Sequence, residues 1–190
     1  MAIAIYDACI LYSAPLRDLF LRLASAGLVE ARWSNQLLDE CFRHIVVNRP
    51  DLKPESLRRT RDLMNKALPG ALVTGYEGLT AGLWLPDPDD RHVLAVAIRA
   101  RASVIVTANL GDFPAAALLP HSLVAIHPDG FFGGLLDLDP ERVLQVVAEQ
   151  AAALKNPPRT QQELLTTLEN AGLKKSIARM RAISPPWRGR

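Results

Sequence analysis

The chain has 190 residues, 49% of them hydrophobic, and this length suits one sizeable core with an appended tail better than two full domains. No apolar run approaches the ~20 residues of a membrane-spanning helix, and the first residues lack the basic and long apolar regions of a secretory signal, so we expect a cytoplasmic protein without a membrane segment. Cys9 and Cys41 lack the spacing of zinc ligands, which favours buried free thiols in a reducing compartment.

Four short apolar runs predict β-strands, at residues 2–6, 28–33, 103–107 and 123–126. Helical spacing and capping residues predict six helices: one that ends at Gly27, one capped by Ser34 that runs to about Asn48, one over residues 53–68, one that starts at Pro88, one capped by Asp139, and one that starts at Thr160. Residues 71–85 carry three glycines among apolar residues, an ambiguous pattern that fits a short strand followed by a loop.

The order of these elements, β-α-β-α-α-α-β-β, implies a mostly parallel sheet with helices on both faces and right-handed crossovers. The last helices lack intervening strands. We therefore expect an α/β domain over residues 1–136 and a helical extension over residues 137–190 that packs on this domain or on a partner.

The net charge is only +2, but the basic residues are unevenly placed. No acid follows Glu169, whereas six basic residues do: Lys174, Lys175, Arg179, Arg181, Arg188 and Arg190. This pattern fits either a solvated basic tail or a surface for an anionic partner.

Four acids carry the chemistry that the pattern predicts. Asp7 follows the first strand, Asp112 follows the third, Asp90 lies in the first turn of the central helix, and Glu40 lies inside an earlier helix. If the first and third strands are neighbours, Asp7, Asp90 and Asp112 meet at one edge of the sheet. Carboxylates a few ångströms apart repel, so such a cluster needs a cation or protons. All-oxygen ligands favour Mg²⁺ or Mn²⁺, which would activate a water against a phosphodiester.

Three of the four acids also have a purely structural interpretation, whereas Asp7, directly after a buried strand, has little structural reason to be there. Asp90 can complement the positive end of a helix dipole, as Asp87 and Asp89 are expected to do. Asp112 can cap a short helix, and Glu40 can be a solvated helix residue.

Nearby polar residues leave similar alternatives. Asn109 can be a turn former. Arg43 and His44 follow Glu40 on the same helical face, where they can meet a phosphate or form surface ion pairs. His92 points to another part of its helix than Asp90, so packing is the expected role.

Four stretches of the sequence resemble the PIN-domain family, in particular the VapC-like toxins of bacterial toxin–antitoxin pairs. They read Y-D-A-C-I-L, L-L-D-E-C-F-R-H, P-D-P-D-D-R-H-V-L-A-V-A-I and V-I-V-T-A-N-L-G-D-F-P. The resemblance spans about residues 2–135 and implies a three-layer α/β/α fold with a five-stranded parallel sheet. It also implies a Mg²⁺- or Mn²⁺-dependent endoribonuclease that forms homodimers and is encoded beside an antitoxin.

The acidic quartet of the family falls on Asp7, Glu40, Asp90 and Asp112. Some members carry an acid where this chain has Asn109, which together with Thr107 is expected to support the metal. The helical extension lies beyond the minimal domain of the family.

The sequence therefore predicts a metal-dependent endoribonuclease, the toxin of such a pair, with Arg43 and His44 as candidate RNA contacts. The alternative is a non-catalytic PIN-like protein that binds RNA or serves as a scaffold. An aspartyl phosphatase fits poorly, because such enzymes usually carry a second Asp two residues after the first, where this chain has Cys9.

Overall fold

The structure is a computed structural model that describes residues 1–183. The strands are β1 (Ile3–Tyr6), β2 (Glu30–Arg32), β3 (Val104–Val106) and β4 (Val124–Ile126). All pairs are parallel and the order is β2-β1-β3-β4, with Ile5 opposite both Arg32 and Ile105. The strands β1 and β3 lie in the middle of the sheet, which explains why they read as continuous apolar runs. The α/β class and the parallel sheet are confirmed.

The helices follow the capping signals of the sequence. They are α1 (Ala8–Tyr12), α2 (Ala14–Ser25), α3 (Asn35–Asn48), α4 (Pro54–Ala67), α5 (Arg91–Arg99), α6 (Ala115–Leu118), α7 (Pro128–Leu138), α8 (Pro140–Ala153), α9 (Gln161–Asn170) and α10 (Lys174–Ile183). Ser34 accepts a hydrogen bond from the Leu37 amide at the start of α3. Asp139 caps α8, and Thr160 forms a capping box with Glu163 in α9. Short 3-10 turns cover Glu77–Gly82, Pro88–Asp90, Leu110–Asp112 and Leu119–His121.

The expected fifth strand is not found among residues 1–183, where the sheet has four strands. Residues 71–85 form one parallel bridge instead, between Leu72 and Trp33. The Trp33 amide donates to the Ala71 carbonyl at 2.9 Å, and the Val73 amide donates to the Trp33 carbonyl at 2.8 Å. Gly75, at a φ of 72°, then turns the chain away from the sheet edge. The pairing therefore stops after one residue.

Two further differences concern helices. The helix expected to start at Pro88 begins with the 3-10 turn, and regular α-helix starts only at Arg91. The helices α1, α6, α7 and α10 were not predicted. Among the described residues, no helix is long and apolar enough to cross a membrane.

The C-terminal helices share one hydrophobic core with the sheet and its helices. Phe131 of α7 stacks on Phe20 of α2, with ring centroids 6.2 Å apart. Gln150 of α8 donates to the Pro15 carbonyl at 3.0 Å. Packing on the rest of the chain is thus observed for this extension, whereas Arg188 and Arg190 of the basic tail lie outside the described residues. The division after residue 136 falls within α7 and stays a proposal.

Candidate active site

Asp7 lies at the carboxyl end of β1, where its side chain caps α1. Its Oδ1 accepts a hydrogen bond from the Ala8 amide at 2.7 Å. Its Oδ2 accepts from the Thr107 hydroxyl at 2.8 Å and from the Cys9 thiol at 3.3 Å. Asp7 is only 8% exposed, and a carboxylate so buried needs donors of this kind. These three contacts hold it in one orientation.

The loop after β3 is tied to the start of α1 by the same network. Thr107 is fully buried, and its hydroxyl accepts from the Asn109 amide at 3.0 Å while it donates to Asp7. The Cys9 sulfur accepts from the Ala108 amide at 3.3 Å. Asn109 itself is exposed and contacts the network through its backbone. Cys9 is a further contact that the sequence analysis missed, although its place two residues after Asp7 was a signal.

Asp90 is half-buried in the 3-10 turn that precedes α5. Burial and, to a smaller extent, the negative charges of Asp7, Asp112 and Asp87 together raise the pKa of its carboxyl to about 6, although His92 acts in the opposite direction. Asp112 ends the 3-10 turn that follows β3 and is also half-buried. Asp7, Asp90 and Asp112 are therefore close enough for their charges to interact.

Glu40 is joined to this region by a histidine. The Nε2 atom of His92 in α5 lies 2.9 Å from Oε1 of Glu40 in α3. The His92 side chain is 4% exposed and that of Glu40 is 26% exposed. The expectation that His92 only packs was incomplete, because the ring also binds an acid of the predicted quartet. A lone polar residue on the apolar face of α5 was the available signal.

Arg43 and His44 are both exposed on α3. Arg43 lines a groove of about 260 Å³ between α3 and α4, together with Phe42 and Leu57. Neither Arg43 nor His44 forms an ion pair with another residue of the 1–183 region. The structure thus leaves both side chains accessible and gives neither a contact with the acids.

The donor set of the site fits a hydrated hard cation. All four predicted acids offer oxygen, and three of them interact by charge. In the described part of the chain, no group of three or more His, Cys, Asp or Glu side chains is arranged closely enough to hold an ion. Mg²⁺ keeps several waters and is usually bound through one or two carboxylates. Water-mediated contacts from the remaining acids suit that chemistry.

Comparison with known proteins agrees with the α/β fold. Residues 4–111 match the family model described as PIN domain, and the chain belongs to the PIN-domain family. The predicted resemblance is thereby confirmed. Residues 128–182 match a second model, the VapC50 C-terminal domain.

A curated relative from Mycobacterium tuberculosis (strain ATCC 25618 / H37Rv) carries the name "Putative ribonuclease VapC50". It is 44% identical over 98 residues, which are 52% of this chain and 57% of the relative. The match thus spans little more than half of the relative's length. No solved structure matches the chain.

Proposed function

We propose that this protein is a divalent-metal-dependent endoribonuclease with a three-layer α/β/α fold, whose metal centre consists of Asp7, Glu40, Asp90 and Asp112. Two observations support the proposal. Asp7 and Asp112 follow the neighbouring strands β1 and β3, and the negative charges of both raise the pKa of Asp90, which belongs to a third chain segment. Ligand sites in open α/β sheets lie at this edge. A bound Mg²⁺ or Mn²⁺ would offset the repulsion.

The residues of the metal centre have separate tasks. Asp7, held by Thr107 and Cys9, offers a carboxyl oxygen in a fixed position. Asp90 has a pKa of about 6 in the absence of metal, so it loses its proton readily when a cation binds. The ion would supply a water activated for attack on a phosphodiester and stabilise the leaving oxygen. Glu40, bound to His92, completes the acidic set.

RNA is the proposed substrate, and exposed basic residues are its proposed contacts. Arg43 and His44 on α3 are accessible. Lys174 and Lys175 at the start of α10 are also exposed and add positive charge. We further propose a toxin role in the cytoplasm with a homodimer and an antitoxin partner, on the strength of the family and of the ribonuclease named among its relatives.

The test is cleavage of a mixed RNA substrate by purified protein in Mn²⁺ buffer. Asp7→Asn and Asp90→Asn are expected to abolish cleavage, by at least about a hundredfold, without loss of the folded circular-dichroism spectrum. Asp89→Asn is the matched control, since Asp89 is an exposed neighbour in the same turn. Full activity of either site variant would refute the proposal.

Metal binding separates this function from the alternative of a non-catalytic RNA-binding or scaffold protein. Mn²⁺ at about 100 times its dissociation constant stabilises a protein that binds it by about 2.7 kcal/mol. The melting temperature of the wild-type chain should rise with Mn²⁺, and that of Asp7→Asn should not. An unchanged wild-type melting temperature would favour the non-catalytic alternative.

A further inference from the structure

His92 is a polar residue at the start of a buried apolar stretch. It lies in the first turn of α5, followed by five buried apolar residues, Val93 to Ala97. The whole residue is 3% exposed. A histidine buried so completely usually has a polar partner, so the hydrogen bonds of its ring indicate its role.

The only side-chain partner of Glu40 within residues 1–183 is this histidine, at 2.9 Å. The two residues lie on different helices, α3 and α5, so the contact depends on the tertiary fold. The imidazole has two rotatable bonds and is packed in the core, whereas the Glu40 side chain has three and is partly exposed. The rigid partner therefore determines where the flexible carboxylate lies.

The second ring nitrogen of His92 lowers the stability of the fold. Nδ1 is buried and has no hydrogen-bond partner in the described part of the chain. An apolar side chain of similar size would leave no such unsatisfied atom. The histidine is therefore a poor choice for core stability alone, and the bond to Glu40 is what it provides.

We propose that His92 is a positioning residue, whose Nε2–H holds the Glu40 carboxylate in the orientation that the metal centre requires. The inference rests on the proposed function. The neutral ring with its proton on Nε2 suffices for this role, and Nδ1 is then the unsatisfied acceptor. Groups that orient metal-binding side chains in this way typically change metal affinity 10- to 100-fold when removed.

The experiment compares Mn²⁺ affinity, by titration calorimetry, with the melting temperature of the metal-free protein. His92→Leu removes the donor and keeps an apolar fit; we expect a roughly 10- to 100-fold loss of Mn²⁺ affinity with an equal or higher melting temperature. His92→Gln keeps an N–H donor of similar reach and should recover most of the affinity. His92→Asn, whose amide is too short to reach Glu40, replaces His92→Leu if leucine disrupts the core.

A double-mutant cycle shows whether the effect passes through Glu40. In a Glu40→Ala background, His92→Leu should cause no further loss of Mn²⁺ affinity. Wild-type affinity in His92→Leu, or an equal loss with and without Glu40, would overturn the positioning role alone. Failure of the wild-type chain to bind Mn²⁺ would overturn the metal centre and this role with it.

Discussion

Asp7 depends on a hydroxyl supplied by the neighbouring strand end. Thr107 donates to Asp7 and also accepts from the Asn109 amide, and it is fully buried. Thr107→Val has nearly the same shape but lacks the hydroxyl, so the Asp7 carboxylate and the Asn109 amide both lose this partner. We expect a loss of about 1–3 kcal/mol in the free energy of unfolding, measured by urea denaturation. Thr107→Ser keeps the hydroxyl and should also keep Mn²⁺ binding; equal loss of Mn²⁺ affinity in both variants would contradict this role.

The raised pKa of Asp90 makes the metal-free protein sensitive to pH. The folded pKa of about 6 exceeds the ordinary value of 3.8, so the folded state holds this proton more tightly than the unfolded state. Stability is therefore lost as pH rises from about 4 to about 6 and stays low above that range. Asn does not ionise, so the Asp90→Asn variant should not lose this stability as the pH rises.

With a chelator present, Asp90→Asn should melt roughly 2–4 °C higher than wild type at pH 8, which corresponds to about 1 kcal/mol at a solvent-screened site. At pH 4 the difference should vanish. Asp89→Asn, from the exposed part of the same turn, should show no such pH-dependent gain. A constant difference at both pH values would rule out Asp90 ionisation as the cause.

At the scale of elements, one buried carboxylate anchors the last helix. Oδ1 and Oδ2 of Asp129 in α7 accept from the Ser176 and Lys175 amides at 2.8 and 2.9 Å, which caps α10 from a distant part of the chain. Gly133 permits the close approach, because a Cβ there would lie 3.2 Å from the Ser176 hydroxyl. Burial would raise the pKa of Asp129, but the hydrogen bonds from Ser176 and Lys175 outweigh it and the pKa is lowered.

Asp129→Ala should lower the free energy of unfolding by about 2–3 kcal/mol, because the start of α10 loses a charged acceptor. Hydrogen exchange should rise across residues 174–183. The stabilising contribution is present above the ordinary carboxyl pKa and is lost as pH falls through the lower folded value. Asp137→Ala removes the exposed pair with Arg179 and should change stability by less than about 1 kcal/mol. Similar effects from both variants would refute the anchoring role of Asp129.

The limits of sequence-based prediction are visible in particular elements. Ser34, Asp139 and Thr160 marked helix starts correctly, because a cap is a local signal. The helix α1 was missed, since its five residues are too few to show a period. The fifth strand was expected from the family resemblance, and residues 71–85 suggested a short strand followed by a loop, of which the structure has only the single bridge at Leu72.

For the candidate site too, some features are visible in the sequence and others depend on tertiary packing. Asp7 and Asp112 follow strands that are neighbours in the sheet; the sequence pattern required this adjacency as a condition, and the structure shows it. The contact between Glu40 and His92 does not follow from strand adjacency, because it depends on how α3 and α5 pack against each other. Contacts between helices that are distant in the sequence can hardly be predicted from residue spacing.

For the whole molecule, the question is whether the C-terminal helices fold as a separate unit. Phe131 of α7 is 8% exposed and stacks on Phe20 of α2. The apolar faces of α7, α8 and α9 are buried in the same cluster as the sheet. Because one core contains both parts, we expect the chain to unfold in a single cooperative transition.

Phe131→Ala is the direct test of this shared core. Truncation of a buried phenylalanine typically lowers the free energy of unfolding by about 3–5 kcal/mol. Here both the sheet and the C-terminal helices should be destabilised. In a background with Trp84→Phe and Trp187→Phe, the fluorescence of Trp33, fully buried beside β2, reports on the sheet, and hydrogen exchange in α8 reports on the extension. Both unfolding transitions should shift together to a lower denaturant concentration.

Leu138→Ala is the control, because Leu138 is 74% exposed at the end of the same helix. It should change the free energy of unfolding in neither region by more than about 0.5 kcal/mol. A Trp33 transition that stays in place while α8 opens would mean that the C-terminal helices from α7 onward form an independent unit.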